Sequence, residues 1–146
     1  MASLIRKSSI LFALGAFGGL VTAFVIWLSG IAGVTGLFGV AIAPELTPEF
    51  VYPKLVWGGM WGWLGFLPLM VRGWLLRGVV ISVIPTAAAW FWFLPADGAG
   101  LLGLSLGLLT PVVVLGFTMV WGLVTEGLAE MCGVYAPRPV TAQPAH

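Results

Sequence analysis

Charge is what this chain has least of. Its 146 residues include six basic and five acidic side chains, 8% of the total, against about 25% in ordinary soluble domains. None of the eleven falls within Ser8–Pro44, Leu55–Val71, Gly78–Ala96 or Gly98–Thr125. With 60% of residues hydrophobic, a soluble fold of this length could not cover its own apolar surface, so lipid is the expected solvent. The formal net charge of +1 leaves no basic face, which excludes nucleic acid as a partner on electrostatic grounds.

Other absences exclude chemistry. Cys132 is the single cysteine, His146 the single histidine, and asparagine does not occur. One cysteine cannot form an intrachain disulfide or a cysteine metal cluster. One histidine at the C-terminal end cannot supply a buried haem ligand, a His-based metal site, or the base of a Ser-His or Cys-His pair. No charge lies deep inside an apolar stretch, so proton relays, voltage sensors and charged selectivity rings lack their usual parts. The expectation is a protein without catalysis, cofactor or metal.

What is present fits a bilayer. Stretches of about 17–25 apolar residues match a hydrocarbon core of about 30 Å. The four uncharged segments therefore predict an all-α, polytopic integral membrane protein, a four-helix transmembrane bundle within one domain spanning residues 1–133. The expected helices run from about 9 to 29, 54 to 71, 78 to 94 and 100 to 125. A disordered tail is expected over 134–146, which holds Pro137, Pro139 and Pro144. Arg6-Lys7 before an apolar segment resembles a signal peptide. The apolar region is too long for one, and Pro44 follows the only well-placed small-residue site, so a retained first helix is expected.

The first stretch outruns a single crossing. Gly30, Gly33, Gly36 and Gly39 fall at every third position and weaken helix, so a Gly-rich connector at the membrane surface is expected there. Thr47-Pro48-Glu49 has the form of an N-cap, a proline at the first helical position and an acid in the first turn. With Pro53 soon after, it predicts a short surface turn ahead of the second helix. Arg6, Lys7, Arg72, Arg77 and Arg138 fall on one side of this topology and Lys54 alone on the other. The positive-inside rule then places both termini in the cytoplasm, and the small size and compact loops make a bacterial inner membrane the expected location. Trp27, Tyr52, Trp57, Trp90 and Trp92 fall near the outer interface, and Trp74 and Trp121 near the inner one, as aromatic belts do.

Three sets of residues stand out. Gly15, Gly19 and Ala23, then Gly58 and Gly62, then Ala99, Gly103 and Gly107 repeat at intervals of four, the spacing that lets membrane helices approach closely. Pro68, Pro85 and Pro111 fall inside the second, third and fourth helices and are expected to kink them, with Ser82, Thr86 and Thr110 near enough to serve the freed carbonyls. Glu126 and Glu130 lie one turn apart at the end of the fourth helix, where like charges repel and oppose the helix dipole. Interfacial ion pairs with Arg72 and Arg77 are the expected compensation.

A shift of 64 residues brings Thr22-Ala23 onto Thr86-Ala87, Gly36-Leu37 onto Gly100-Leu101, and Val56-Trp57-Gly58 onto Val120-Trp121-Gly122. A duplicated hairpin would produce this, and so would chance in a chain rich in Gly, Leu and Val. In the expected topology the Val-Trp-Gly copies lie at different depths. These features predict helix–helix packing as the function: an accessory or assembly subunit, or a homo-oligomer, whose partners are the lipid bilayer and another membrane protein or a second copy. The alternative is a small oligomeric channel or transporter for a neutral or hydrophobic solute, with the proline kinks along its path.

Overall fold

The structure is a computed structural model that describes residues 2–69 and 73–135. Arg72 and the tail beyond Tyr135 lie outside the described residues. Every element among those described is helical: α1 (Ala2–Ile31), α2 (Val34–Leu37), α3 (Pro48–Gly62), α4 (Trp74–Ala88), α5 (Leu94–Ala96) and α6 (Thr110–Met131). Short 3₁₀ segments follow α3 (Trp63–Phe66) and precede α6 (Leu101–Leu106), and a π turn (Ala89–Phe93) joins α4 to α5. Three helical segments are long and apolar enough to cross a membrane: Ser3–Ile31, Trp74–Ala96 and Thr110–Met131.

Local chemistry explains where these helices start and stop, and it corrects several expectations. The second helix begins at Pro48 rather than 54, capped by the Thr47 hydroxyl, which accepts from the Phe50 N–H at 3.4 Å. Pro53 does not interrupt it. Being exposed near the helix start, it removes only the N–H that would bond the Glu49 carbonyl, and the helix continues. The same helix ends near Phe66 rather than 71. Leu67 is extended (φ −63°, ψ 131°), as the residue before a proline prefers, so Pro68 follows the helix and kinks nothing.

The fourth helix is shorter than the uncharged stretch suggested. Pro111 sits in the first turn of α6, where its missing N–H has no helical partner to lose. It starts the helix and does not kink it. Residues 100–109 form a connector instead, in which Leu102 (φ 59°) and Gly103 (φ 70°) are left-handed. Ala99, Gly103 and Gly107 are therefore not a helical ridge. Gly107 is held against another backbone, because a Cβ there would lie 2.1 Å from the Gly39 carbonyl oxygen.

Of Pro68, Pro85 and Pro111, Pro85 alone lies inside a helix. The neighbouring hydroxyls do not serve the Ile81 carbonyl that it frees: Thr86 donates to the Ser82 carbonyl and Ser82 to the Val79 carbonyl. Further along, Pro95 in α-register would clash with the Phe91 carbonyl. The π turn over Ala89–Phe93 widens the helix before that point.

Two antiparallel hairpins result. In the first, Gly15 and Gly19 of α1 meet Gly58 and Gly62 of α3 backbone to backbone. In the second, Gly78 and Ser82 of α4 meet Gly122 of α6. α1 and α6 also pack on each other, with Trp121 donating its indole N–H to the Gly15 carbonyl at 3.0 Å. Trp121 is 4% exposed and belongs to this interior contact, not to an interfacial belt. The Val-Trp-Gly segments consequently converge on one level: Gly58 and Trp121 both contact Gly15. Thr22 and Thr86, matched by the same shift, both donate to the carbonyl four residues earlier.

The first connector is short helix followed by extended chain. Thr35 donates to the Ile42 carbonyl at 2.7 Å, and the Ala41 N–H donates across to the Leu106 carbonyl at 2.8 Å. The two connectors therefore close over the same end of the bundle.

Candidate functional site

The order of contacts leaves a gap. α3 packs on α1, α1 on α6, and α6 on α4, while α3 and α4 share no substantial backbone interface. Between them lies a cavity of about 800 Å³, within the range that accommodates a small ligand. Its floor is made where the central helices meet, by Gly58, Thr118 and Trp121. Its walls are aromatic: Trp57 and Trp61 on α3, Phe93 in the π turn and Phe117 on α6. Trp57 stacks on Trp61 at 5.8 Å and meets Phe93 edge-on at 4.9 Å, so these rings span the gap that the backbones leave.

The sequence folds this way for identifiable reasons. Lys54, Trp57, Gly58 and Trp61 have i, i+3, i+4, i+7 spacing and so share one face of α3. The glycine side of that face is pressed on α1: a Cβ at Gly19 would lie 2.0 Å from the Lys54 carbonyl oxygen. The widened π turn places Ala89 and Phe93 on the opposite wall, and such turns recur at functional sites. Three charged side chains line the outer part, Glu49, Lys54 and Asp97. The Lys54 ammonium lies 4.6 Å from the centre of the Phe50 ring.

A second cluster forms at the other end. Arg77 Nε lies 3.2 Å from Glu126 Oε2, and the Tyr135 hydroxyl donates to Glu126 Oε1 at 3.0 Å. Glu126 is fully buried. The Arg77 guanidinium stacks 3.5 Å over the Tyr135 ring, and the Lys7 ammonium lies 5.3 Å from the same ring and 5.4 Å from Phe66. Burial, the Glu126 carboxylate and its hydrogen bond push the Tyr135 phenol well above its ordinary value. Glu130 is exposed and makes no ion pair among the described residues.

Of the residues singled out from the sequence, Gly15, Gly19, Gly58 and Gly62 come together, as do Arg77 and Glu126. Ala23 is fully buried on α1. Ala99, Gly103 and Gly107 belong to the connector region, Glu130 stands apart, and Pro85 lines the cavity while Pro68 and Pro111 do not. Sequence reasoning missed the cavity residues Lys54, Trp57, Trp61, Phe93 and Asp97. The one-face spacing on α3 was the available signal. No family model, curated protein or solved structure matches the chain.

Proposed function

We propose that this chain is a four-crossing integral membrane protein that holds a small hydrophobic or amphipathic solute in the cleft between α3 and α4, without catalysis. The observation that carries the reading is the cavity of about 800 Å³ walled by Trp57, Trp61, Phe93 and Phe117. A bundle built only for packing has no reason to hold its flanking helices apart around so large a space. The glycines that suggested contact with a partner are also spent internally, between α1 and α3. Packing against another membrane protein or a second copy therefore ranks second. It rests on Gly116, whose Cβ position has nothing within 4 Å.

The second crossing is α3 with its 3₁₀ extension. Fifteen α-helical and four 3₁₀ residues rise about 30 Å, the thickness of the hydrocarbon core. Both termini then share a side, and the basic residues favour the cytoplasmic one. On this reading the cavity opens near the outer interface and the Arg77–Glu126–Tyr135 cluster faces the cytoplasm.

The test is binding of the neutral apolar fluorophore N-phenyl-1-naphthylamine to the purified chain in mild detergent, read against empty micelles. Saturable binding is expected, and Ala89→Trp, which fills the cavity from the π turn, should abolish it. Equal binding by that variant, or none beyond the micelle background in the parent chain, refutes the reading.

A further inference from the structure

The chemistry of the ligand follows from the charges around the cavity, an inference that rests on the binding role proposed above. Glu49, Lys54 and Asp97 line the cavity, and their surroundings differ. Glu49 lies in the first turn of α3, where the positive end of the helix dipole offsets its charge. Asp97 has the opposite setting. It caps the C-terminal end of the continuous helix from Trp74 to Ala96, where the helix dipole adds negative potential to its own. A carboxylate there is unfavourable for the helix, and no cation lies within 4 Å of it among the described residues; Lys54 attracts it only across a longer distance. Lys54, the one ammonium lining the cavity among the described residues, lies against the face of Phe50.

Trp57, Trp61, Phe93 and Trp121 line the same cavity as Asp97. Aromatic faces carry negative potential and attract a cation, more strongly where water is displaced. An anionic amphiphile would meet Asp97 and the negative end of its helix, opposed by Lys54. We propose that the cavity takes a lipophilic organic cation, its charge held by Asp97 and the neighbouring ring faces and its apolar body among Trp57, Trp61 and Phe93.

Two ions of nearly the same shape and opposite sign test this. Tetraphenylphosphonium and tetraphenylborate are titrated into the full chain in detergent, with tryptophan fluorescence as the readout and empty micelles subtracted. The phosphonium is expected to bind at least tenfold more tightly than the borate. Asp97→Asn should lower the phosphonium-to-borate affinity ratio about three- to tenfold, and Lys54→Met should raise it by a similar factor. Borate binding as tight as phosphonium binding, or a phosphonium-to-borate ratio unchanged in Asp97→Asn, overturns the cation assignment and leaves the cavity as a site for neutral solutes. Failure of both ions and of N-phenyl-1-naphthylamine to bind refutes the binding role itself. Asp97 is exposed at a helix end, so this variant is expected to fold.

Discussion

Gly15→Ala should unlock the first hairpin. The added methyl group would lie 2.3 Å from the Gly58 carbonyl oxygen, 2.7 Å from Gly62 Cα and 2.9 Å from Gly62 N. All three are backbone atoms, so no side chain can swing away to make room. Relieving the closest contact means parting α1 and α3 by roughly 1 Å, a gap at which each packed atom pair forfeits a quarter to a half of its dispersion energy. Overpacking of this kind costs about 1–3 kcal/mol. Alanine also favours helix over glycine by about 1 kcal/mol, so a control must share that gain. Gly116→Ala does, because nothing lies within 4 Å of its Cβ position. The difference between the two variants isolates the clash and is expected to be about 1–3 kcal/mol, a factor of roughly 5 to 150 in the unfolding equilibrium. Unfolding of the full chain in mixed micelles with rising dodecyl sulfate, followed by tryptophan fluorescence, measures it. Equal midpoints for the two alanine variants would refute the close contact between α1 and α3.

Three further outcomes are expected. Arg77→Met leaves the buried Glu126 carboxylate without its cation and should cost about 3 kcal/mol, whereas pairing it with Glu126→Leu should recover most of the loss, as melting temperatures in detergent would register. The Tyr135 phenol is held above its ordinary value of 10.0 in the folded chain. Its contribution to stability is therefore complete below about pH 10 and is lost above it, as the unfolded chain ionises first; Tyr135→Phe should flatten that alkaline decline in a pH series of unfolding midpoints. Trp121→Phe removes the bond to the Gly15 carbonyl and should lower stability by about 1 kcal/mol, with the emission of the remaining tryptophans otherwise unchanged.

How much of this was legible in the sequence depended on the kind of signal. The contact between α1 and α3 was legible because two pairs of glycines, each spaced by four, announce a face. Its counterpart between α4 and α6 was not, since Gly78 is the single glycine of α4 and Gly122 has no glycine four residues away on α6, so only the fold makes them opposite. Hydropathy overran the fourth helix because a glycine-rich connector is as uncharged as a crossing; the helix starts where Thr110-Pro111 supplies a proline-compatible first turn. It overran the second helix as well, where the decisive residue was Pro68 acting through Leu67. Reading prolines as kinks failed at Pro68 and Pro111 because a proline's effect depends on its position relative to the helix ends. The cavity was invisible for another reason. It exists because α3 and α4 do not meet, and the absence of a contact leaves no periodicity behind. Trp57 and Trp121 have the composition of an interfacial belt, and only their neighbours distinguish a wall or a floor from a membrane anchor.

The hydrogen bond from Ala41 to the Leu106 carbonyl also sets an order on biogenesis. Sixty-five residues separate its two ends, and ribosomes add about 5–20 residues per second. For roughly 3–13 s after Ala41 is made, that amide waits for a carbonyl not yet synthesised. The nascent first half is thus an unfinished subassembly, and the arrival of the second connector completes it.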